Sequence, residues 1–268
     1  MLEFPNFDPI VLEIGPFVIR WYALSYIAGL LIGWRYLIRM NSSPDAPMDR
    51  EQLDGLFVWI TIGIILGGRI GYVLFYNFRT YLSDPLQVLK VWQGGMAFHG
   101  GLIGVIVMLW WFCHRKKVSI LAVGDQLAQV APIGLGLGRI ANFINGELWG
   151  RVSDVPWAMV FPYGGPQPRH PSQLYQAFLE GFCLFLLVFM VRKRKSKRPR
   201  TGYLAGVFLF GYGVARAVGE AFRQPDGHIG FLWGGITMGQ LLSLPLIIIG
   251  LGLMWYVHSQ AATKKAEM

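Results

Sequence analysis

Long apolar runs, separated by short charged or Gly/Pro-rich stretches, dominate the chain. Seven of them, near 17–38, 55–78, 95–112, 118–140, 174–191, 201–222 and 236–258, approach the ~20 residues a helix needs to cross a bilayer core of about 30 Å. Barrel strands would instead alternate apolar and polar over about 10 residues. A helix also pairs its own backbone groups, which lipid cannot do. The pattern therefore predicts an all-α integral membrane protein with seven transmembrane helices. The fourth run carries Asp125, Pro132 and several glycines and is expected to be short, polar and irregular. The third falls short of a full crossing.

Composition agrees. Only 15% of the 268 residues are charged and mean hydropathy is +0.44, against about 25% charged residues in an average soluble domain. This excludes an ordinary soluble globule and a disordered chain. The net charge of +9 is explained by its distribution rather than by nucleic acid. Connections after odd-numbered runs hold 14 Lys and Arg, seven of them between Arg192 and Arg200, and the opposite connections hold 5. The positive-inside rule then puts the N-terminus outside and the C-terminus in the cytoplasm. Met1 to Pro16 shows no basic leader before an apolar core and no small-residue cleavage site, so no removable signal peptide is expected. Cys113 and Cys183 are expected to be inert thiols. The whole chain, 1–268, reads as one integral membrane domain. Its longest connection, 142–173, is rich in Gly, Pro, Trp and Tyr and is expected to lie in the outer headgroup zone as a folded cap or arm.

Charges inside the runs carry the chemistry. Arg20 and Arg35 lie near helix ends, where snorkelling accounts for them. Arg69, Arg139 and Arg216 lie deeper, where a charge costs at least ~2.5 kcal/mol and normally faces protein, water or a ligand. Arg216 and Glu220 share a helix face with Tyr212, so Glu220 either fixes packing or holds Arg216 for an anion. Glycines around Arg69 allow close helix approach, leaving it a packing or a substrate role. Asp125 and Glu180 are possible counter-charges.

The densest polar segment is G-R-I-A-N-F-I-N-G-E-L-W-G at 138–150. Arg139 offers a planar fork of donors for phosphate or carboxylate, with Asn142, Asn145 and Glu147 beside it and Gly150 closing the stretch. This points to an anionic, hydroxylated ligand at the outer membrane boundary. His99, in G-G-M-A-F-H-G-G, can exchange a proton near neutral pH, and His170 is a second candidate for binding or helix capping. No histidine pair or cysteine cluster has metal-ligand spacing, so neither metal nor cofactor is expected. Nucleophile elbow and P-loop are absent as well. The residues alone leave a membrane enzyme, a secondary transporter for an anionic solute and a structural partner all open.

Together these stretches resemble the bacterial prolipoprotein diacylglyceryl transferase family. The resemblance extends from the 138–150 segment to F-H-G-G at 98–101, G-G-R-I-G-Y-V-L-F-Y at 67–76, R-H-P-S-Q-L-Y at 169–175 and G-Y-G-V-A-R-A-V-G-E-A-F-R-Q-P-D at 211–226. W-Y-A-L-S-Y at 21–26 and the G-Q-L-L-S-L-P stretch fit as well. It implies an inner-membrane enzyme, its active site facing the periplasmic leaflet. Such an enzyme moves the diacylglyceryl group of phosphatidylglycerol onto a preprolipoprotein lipobox cysteine, forming a thioether and releasing glycerol 1-phosphate. By that resemblance His99, Arg139, Arg216 and Glu147 are the expected catalytic residues. Tyr26, Arg69, Asn142, Gly150, His170, Tyr212 and Glu220 are the expected substrate contacts. The partners implied are phosphatidylglycerol, the lipobox peptide and membrane lipid; oligomeric state is left open.

Overall fold

The computed structural model describes residues 2–266 apart from 6, 16, 43–45, 77, 92–93, 194–199 and 226–229. Most of the basic run after the fifth apolar stretch thus lies outside the described residues. The long elements are helical: α1 (Trp21–Met40), α2 (Arg50–Phe75), α4 (Phe98–Lys116), α5 (Ile120–Ile144), α8 (Tyr203–Phe222) and α9 (Met238–Ala266). Between α5 and α8, α6 (Ser172–Gln176), a π-helical stretch (Ala177–Cys183) and α7 (Leu184–Lys193) form one continuous helix, Ser172–Lys193. The short elements are β1 (Leu2–Glu3), β2 (Ile10–Ile14), β3 (Phe17–Arg20), α3 (Phe78–Ser83), a 3-10 turn at Pro85–Leu89 and β4 (Met159–Val160). Among the described residues the strands make two-stranded pairings, β1 running parallel to β4.

Among the described residues five helices, Arg50–Phe75, Ile120–Ile144, Ser172–Lys193, Tyr203–Phe222 and Met238–Gln260, are long and apolar enough to cross a membrane. Their surfaces invert the soluble pattern. Val58, Ile65, Leu66 and Ile70 on α2 and Leu244, Ile248, Ile249 and Leu251 on α9 are exposed, while Gln126, Gln129, Glu180 and Glu220 are buried. A continuous apolar exterior of this kind is suited to lipid and hazardous in water.

Two elements differ from the sequence expectation. The stretch from Phe17 to Arg20 is strand rather than the start of the first helix. The fourth run is not short or irregular but an unbroken 25-residue helix through Pro132. Breaking it would strand backbone groups where water is scarce, and its polar side chains are absorbed inside. Asp125 accepts hydrogen bonds from the backbone N–H of Gly202 (2.7 Å) and Ala205 (2.8 Å), supplying the cap that α8 lacks locally. Gln129 donates to the Asp125 carbonyl and accepts from Arg192. Cys113 and Cys183 are free, the first buried and the second half-buried.

The chain divides into two compact bodies. One comprises Ile14–Val18 and Trp34–Val123. There α2 and α4 cross at glycines: a Cβ on Gly104 would stand 2.1 Å from the Gly63 carbonyl, and one on Gly100 2.3 Å from that of Gly67. Only glycine allows that approach. Asp49 opens α2 with a capping box to Gln52. The other body comprises Met1–Glu13, Ile19–Gly33 and Gly124–Met268. In it α8 packs on α9, and Ala128, Leu184, Val188, Leu204 and Val207 form a buried cluster.

Candidate active site

The second body holds an unbroken chain of alternating charges across three helices. Gly136 on α5 meets Gly181 in the π-helical stretch so closely that a Cβ on Gly181 would lie 2.7 Å from the Gly136 Cα. That contact brings Arg139, one turn along α5, onto Glu180. The carboxylate of Glu180 is fully buried. Its Oε2 accepts from Arg139 Nε and sits 2.9 Å from Nη2, a bidentate grip on one edge of the guanidinium. Its Oε1 faces Arg216 Nη1 across 3.7 Å. Arg216 Nη2 pairs with Glu220 Oε1 at 2.9 Å, and the same oxygen accepts from Arg223 at 3.1 Å. Thr237 donates to Glu220 Oε2. In this network three guanidiniums meet two carboxylates. The arginine side chains are 14% and 20% exposed at 139 and 216, whereas Glu180 is 0%. The carboxylate lies beneath, and the arginines reach outward.

A tight turn after α5 builds the adjoining wall. Gly146 and Leu148 both have positive φ, at 65° and 58°. For leucine this is an uncommon, strained conformation, held because neighbours fix both flanking carbonyls. Gln173 donates to the Glu147 carbonyl (2.6 Å) and Ser172 to that of Leu148 (2.9 Å). The Glu147 carboxylate accepts from Asn142 (2.8 Å) and Asn145 (3.2 Å). Gly150 donates to the His170 carbonyl at 2.9 Å, and a Cβ there would stand 2.5 Å from that oxygen. His170 Nδ1 lies 3.1 Å from the Tyr175 hydroxyl, to which Trp157 also donates. Burial lowers the His170 pKa, against the opposing pull of Asp154.

Tyr212, one turn before Arg216, lies in the field of Glu180, Arg216, Arg139 and Glu220. Tyr26 on α1 feels Arg139, and its hydroxyl is 3.5 Å from that of Tyr22. This body therefore contains Arg139, Arg216, Glu147, Asn142, Gly150, His170, Tyr212, Tyr26 and Glu220. His99 and Arg69 belong to the other body. His99 is exposed in the first turn of α4. Arg69 is 4% exposed, and its guanidinium donates to the carbonyls of Gln87, Val88, Lys90, Gly94 and Gly95 while lying over the Tyr81 ring at 5.2 Å. Those contacts tie the 87–95 loop to α2.

Sequence reasoning left Glu180 unpaired and passed over Gln173, Gln176, Arg223 and Thr237. Residues 173, 176 and 180 repeat at helical spacing through an apolar run, a polar stripe that could have been found by the cost of burying it.

A helical membrane protein with partly exposed arginines held on buried carboxylates is the class that fold and site define. The model of the prolipoprotein diacylglyceryl transferase family matches residues 9–256, and the chain belongs to that family. It is 57% identical over 262 residues, 97% of each chain, to the phosphatidylglycerol–prolipoprotein diacylglyceryl transferase of Paramagnetospirillum magneticum. Similar proteins of the same name come from Gluconacetobacter diazotrophicus (55% over 259 residues, 95% of this chain and 91% of the relative) and Bradyrhizobium diazoefficiens (51% over 277 residues, 100% and 97%).

Proposed function

We propose that this chain transfers the diacylglyceryl group of phosphatidylglycerol to a prolipoprotein, with Arg139 and Arg216 as the phosphate clamp. The observation that carries the reading is the sharing of one buried carboxylate, Glu180, by both arginines in a member of this family. The acceptor is the thiol of a lipobox cysteine, so the enzyme needs no nucleophile of its own. Sulfur attacks the sp3 carbon of glycerol, the C–S bond forms, the C–O bond breaks, and glycerol 1-phosphate leaves with the bonding electrons. The phosphate gains a negative charge in that step. Guanidiniums fixed beforehand stabilise the charge more in the transition state than in the ground state, and losing one such contact costs roughly 3 kcal/mol.

Glu180 and Glu220 orient Arg139 and Arg216. Asn142 and Glu147 organise the wall beside them, and Gly150 lets the His170 backbone approach closely. The thiol proton passes to His99, or in its place to Glu147 or water, since a free thiol with pKa near 8.5 is mostly unreactive at neutral pH. Tyr26, His170 and Tyr212 complete the substrate contacts, and Arg69 serves by shaping the loop before α4. The reading includes seven spans in the inner membrane, N-terminus periplasmic, C-terminus cytoplasmic and the site facing the periplasmic leaflet. The 142–173 segment forms the head that covers it.

The test is direct. Purified protein, phosphatidylglycerol and a lipobox peptide are incubated, and the peptide is weighed by mass spectrometry. The expected result is the mass gain of one diacylglyceryl group on cysteine; an unmodified peptide overturns the reading. With His99→Gln, a thiol-limited rate and pH profile identical to wild type would remove His99 as the base.

A further inference from the structure

Beside the guanidiniums lies a patch of buried amides whose hydrogen-bonding capacity the described residues use only in part. Gln173 and Gln176 are both 0% exposed. Neither amide atom of Gln176 has a hydrogen-bond partner among the described residues, nor do Gln173 Oε1 and Asn145 Oδ1. The same holds for the two atoms that face each other across 3.7 Å, Glu180 Oε1 and Arg216 Nη1, a separation too long for a hydrogen bond. Burying such groups unpaired is costly, so a cluster of them marks a place where something polar belongs.

Geometry makes these atoms one site. Gln173, Gln176 and Glu180 lie on a single face of the Ser172–Lys193 helix. Gln176 lies against α8 at Gly219, where a Cβ would stand 2.9 Å from its Cγ and 3.4 Å from its Nε2. Gly219 is one turn from Arg216 and adjoins Glu220. At its other end Gln173 is tied to the Glu147 carbonyl. The amides thus bridge the phosphate clamp and the Asn142–Glu147 wall.

The unused groups mix acceptors (Asn145 Oδ1, Gln173 Oε1, Gln176 Oε1, Glu180 Oε1) with donors (Gln176 Nε2, Arg216 Nη1). A hydroxyl both donates and accepts and suits such a mixture; an ammonium only donates, and an alkyl group does neither. We infer that Gln176, with Gln173, is a specificity-determining residue that binds the hydroxyls of the glycerol headgroup while Arg139 and Arg216 hold the phosphate. This rests on the transferase reading and adds to it a means of choosing among phospholipids of equal phosphate charge. The leaving group would be recognised by its hydroxyls as well as its charge.

The experiment compares phosphatidylglycerol with phosphatidylmethanol, which has the same phosphodiester charge and no hydroxyl, as donors to a lipobox peptide in mixed micelles. Wild type is expected to favour phosphatidylglycerol by about tenfold or more in kcat/KM, the worth of one hydrogen bond of about 1.4 kcal/mol. Gln176→Leu should bring that ratio to within about twofold, because a leucine there offers nothing to a hydroxyl. A variant that still transfers lipid with the wild-type ratio overturns the assignment. If Gln176→Leu is inactive with both donors, the decision passes to wild-type protein alone. Glycerol 1-phosphate should inhibit it about tenfold more strongly than methyl phosphate, and equal inhibition overturns the proposal, leaving the amides to buried water. Failure of wild type to lipidate the peptide from any donor is a different outcome, which sinks the transferase reading itself.

Discussion

Arg69 and the pair Arg139–Arg216 meet the same difficulty, a permanent charge inside a helical membrane protein, in opposite ways. Arg69 surrenders its donors to five backbone carbonyls of one loop and is 4% exposed. Arg139 and Arg216 are held by carboxylates on a neighbouring helix or their own, remain partly exposed, and Arg216 keeps Nη1 without a hydrogen bond. The first arrangement consumes the guanidinium as a structural clamp. The second fixes its direction and leaves the donors that the proposed phosphate clamp requires. Burial depth alone would not separate the two; the identity of the acceptors does.

The largest effects should come from exchanging arginine for lysine, which keeps the charge and loses the fork. Arg139→Lys or Arg216→Lys is expected to lower kcat for lipid transfer by about 100-fold or more, the scale of roughly 3 kcal/mol for a lost transition-state contact. Detergent-solubilised thermal midpoints should stay close to wild type. For Arg69→Lys the ordering reverses. Several charge-assisted hydrogen bonds disappear, each worth about 1.5–3 kcal/mol, so the thermal midpoint falls well before turnover does in the protein that remains folded. If Arg69→Lys instead melts like wild type and fails to turn over, the comparison breaks, and Arg69 joins the substrate contacts.

Glu180→Gln should act on both quantities. The glutamine keeps the volume but leaves two guanidiniums with half their counter-charge, and breaking a buried pair costs about 3–5 kcal/mol. Lower stability and loss of lipid transfer are expected together. Glu180→Asp, which keeps the charge on a shorter stem, should recover more stability than activity, because Oε2 could no longer reach both Nε and Nη2 of Arg139. Equal recovery of both would show that Glu180 acts through charge alone and not through the direction it gives the arginine.

Much of this division could be read from the chain beforehand, and the part that could not has a common cause. Arg139, Arg216 and Glu220 announce themselves because charges in apolar runs are expensive, and Arg216–Glu220 pair at a spacing that any helix brings together. Glu180 lies 41 residues from Arg139 and 36 from Arg216, so its pairing depends on how Gly136 meets Gly181 and on a π-helical stretch that helical periodicity does not announce. The partners of Arg69, a residue left between a packing and a substrate role, were invisible for a different reason. They are carbonyls, which every residue carries, so the loop 87–95 gives no side-chain signal. Pro132 misled in the opposite direction. A proline usually ends a helix in water, but within the bilayer the cost of freeing further backbone groups keeps α5 whole. Gln173 and Gln176 were legible and overlooked, as uncharged residues attract less notice than arginines though they too need partners.

His170 supplies the smallest test and a third solution to burial. Arginine cannot shed its proton and has to be paired, whereas an imidazole can be stored neutral. His170 has a tyrosine hydroxyl, not a carboxylate, beside its ring, and burial lowers its pKa below the usual 6.5 while Asp154 pulls the other way. The folded state therefore binds fewer protons at this site than the unfolded state does. Stability rises with pH through the range between the two pKa values and is lost as pH falls below the unfolded value. The thermal midpoint of wild type should drop more between pH 7.5 and pH 5 than that of His170→Gln, which has nothing to titrate. Parallel curves would show that His170 carries its charge in the folded protein without penalty. The field of Asp154 would then outweigh burial, and His170 would count with Arg139 and Arg216 among the cations that this body keeps charged by placing a carboxylate nearby.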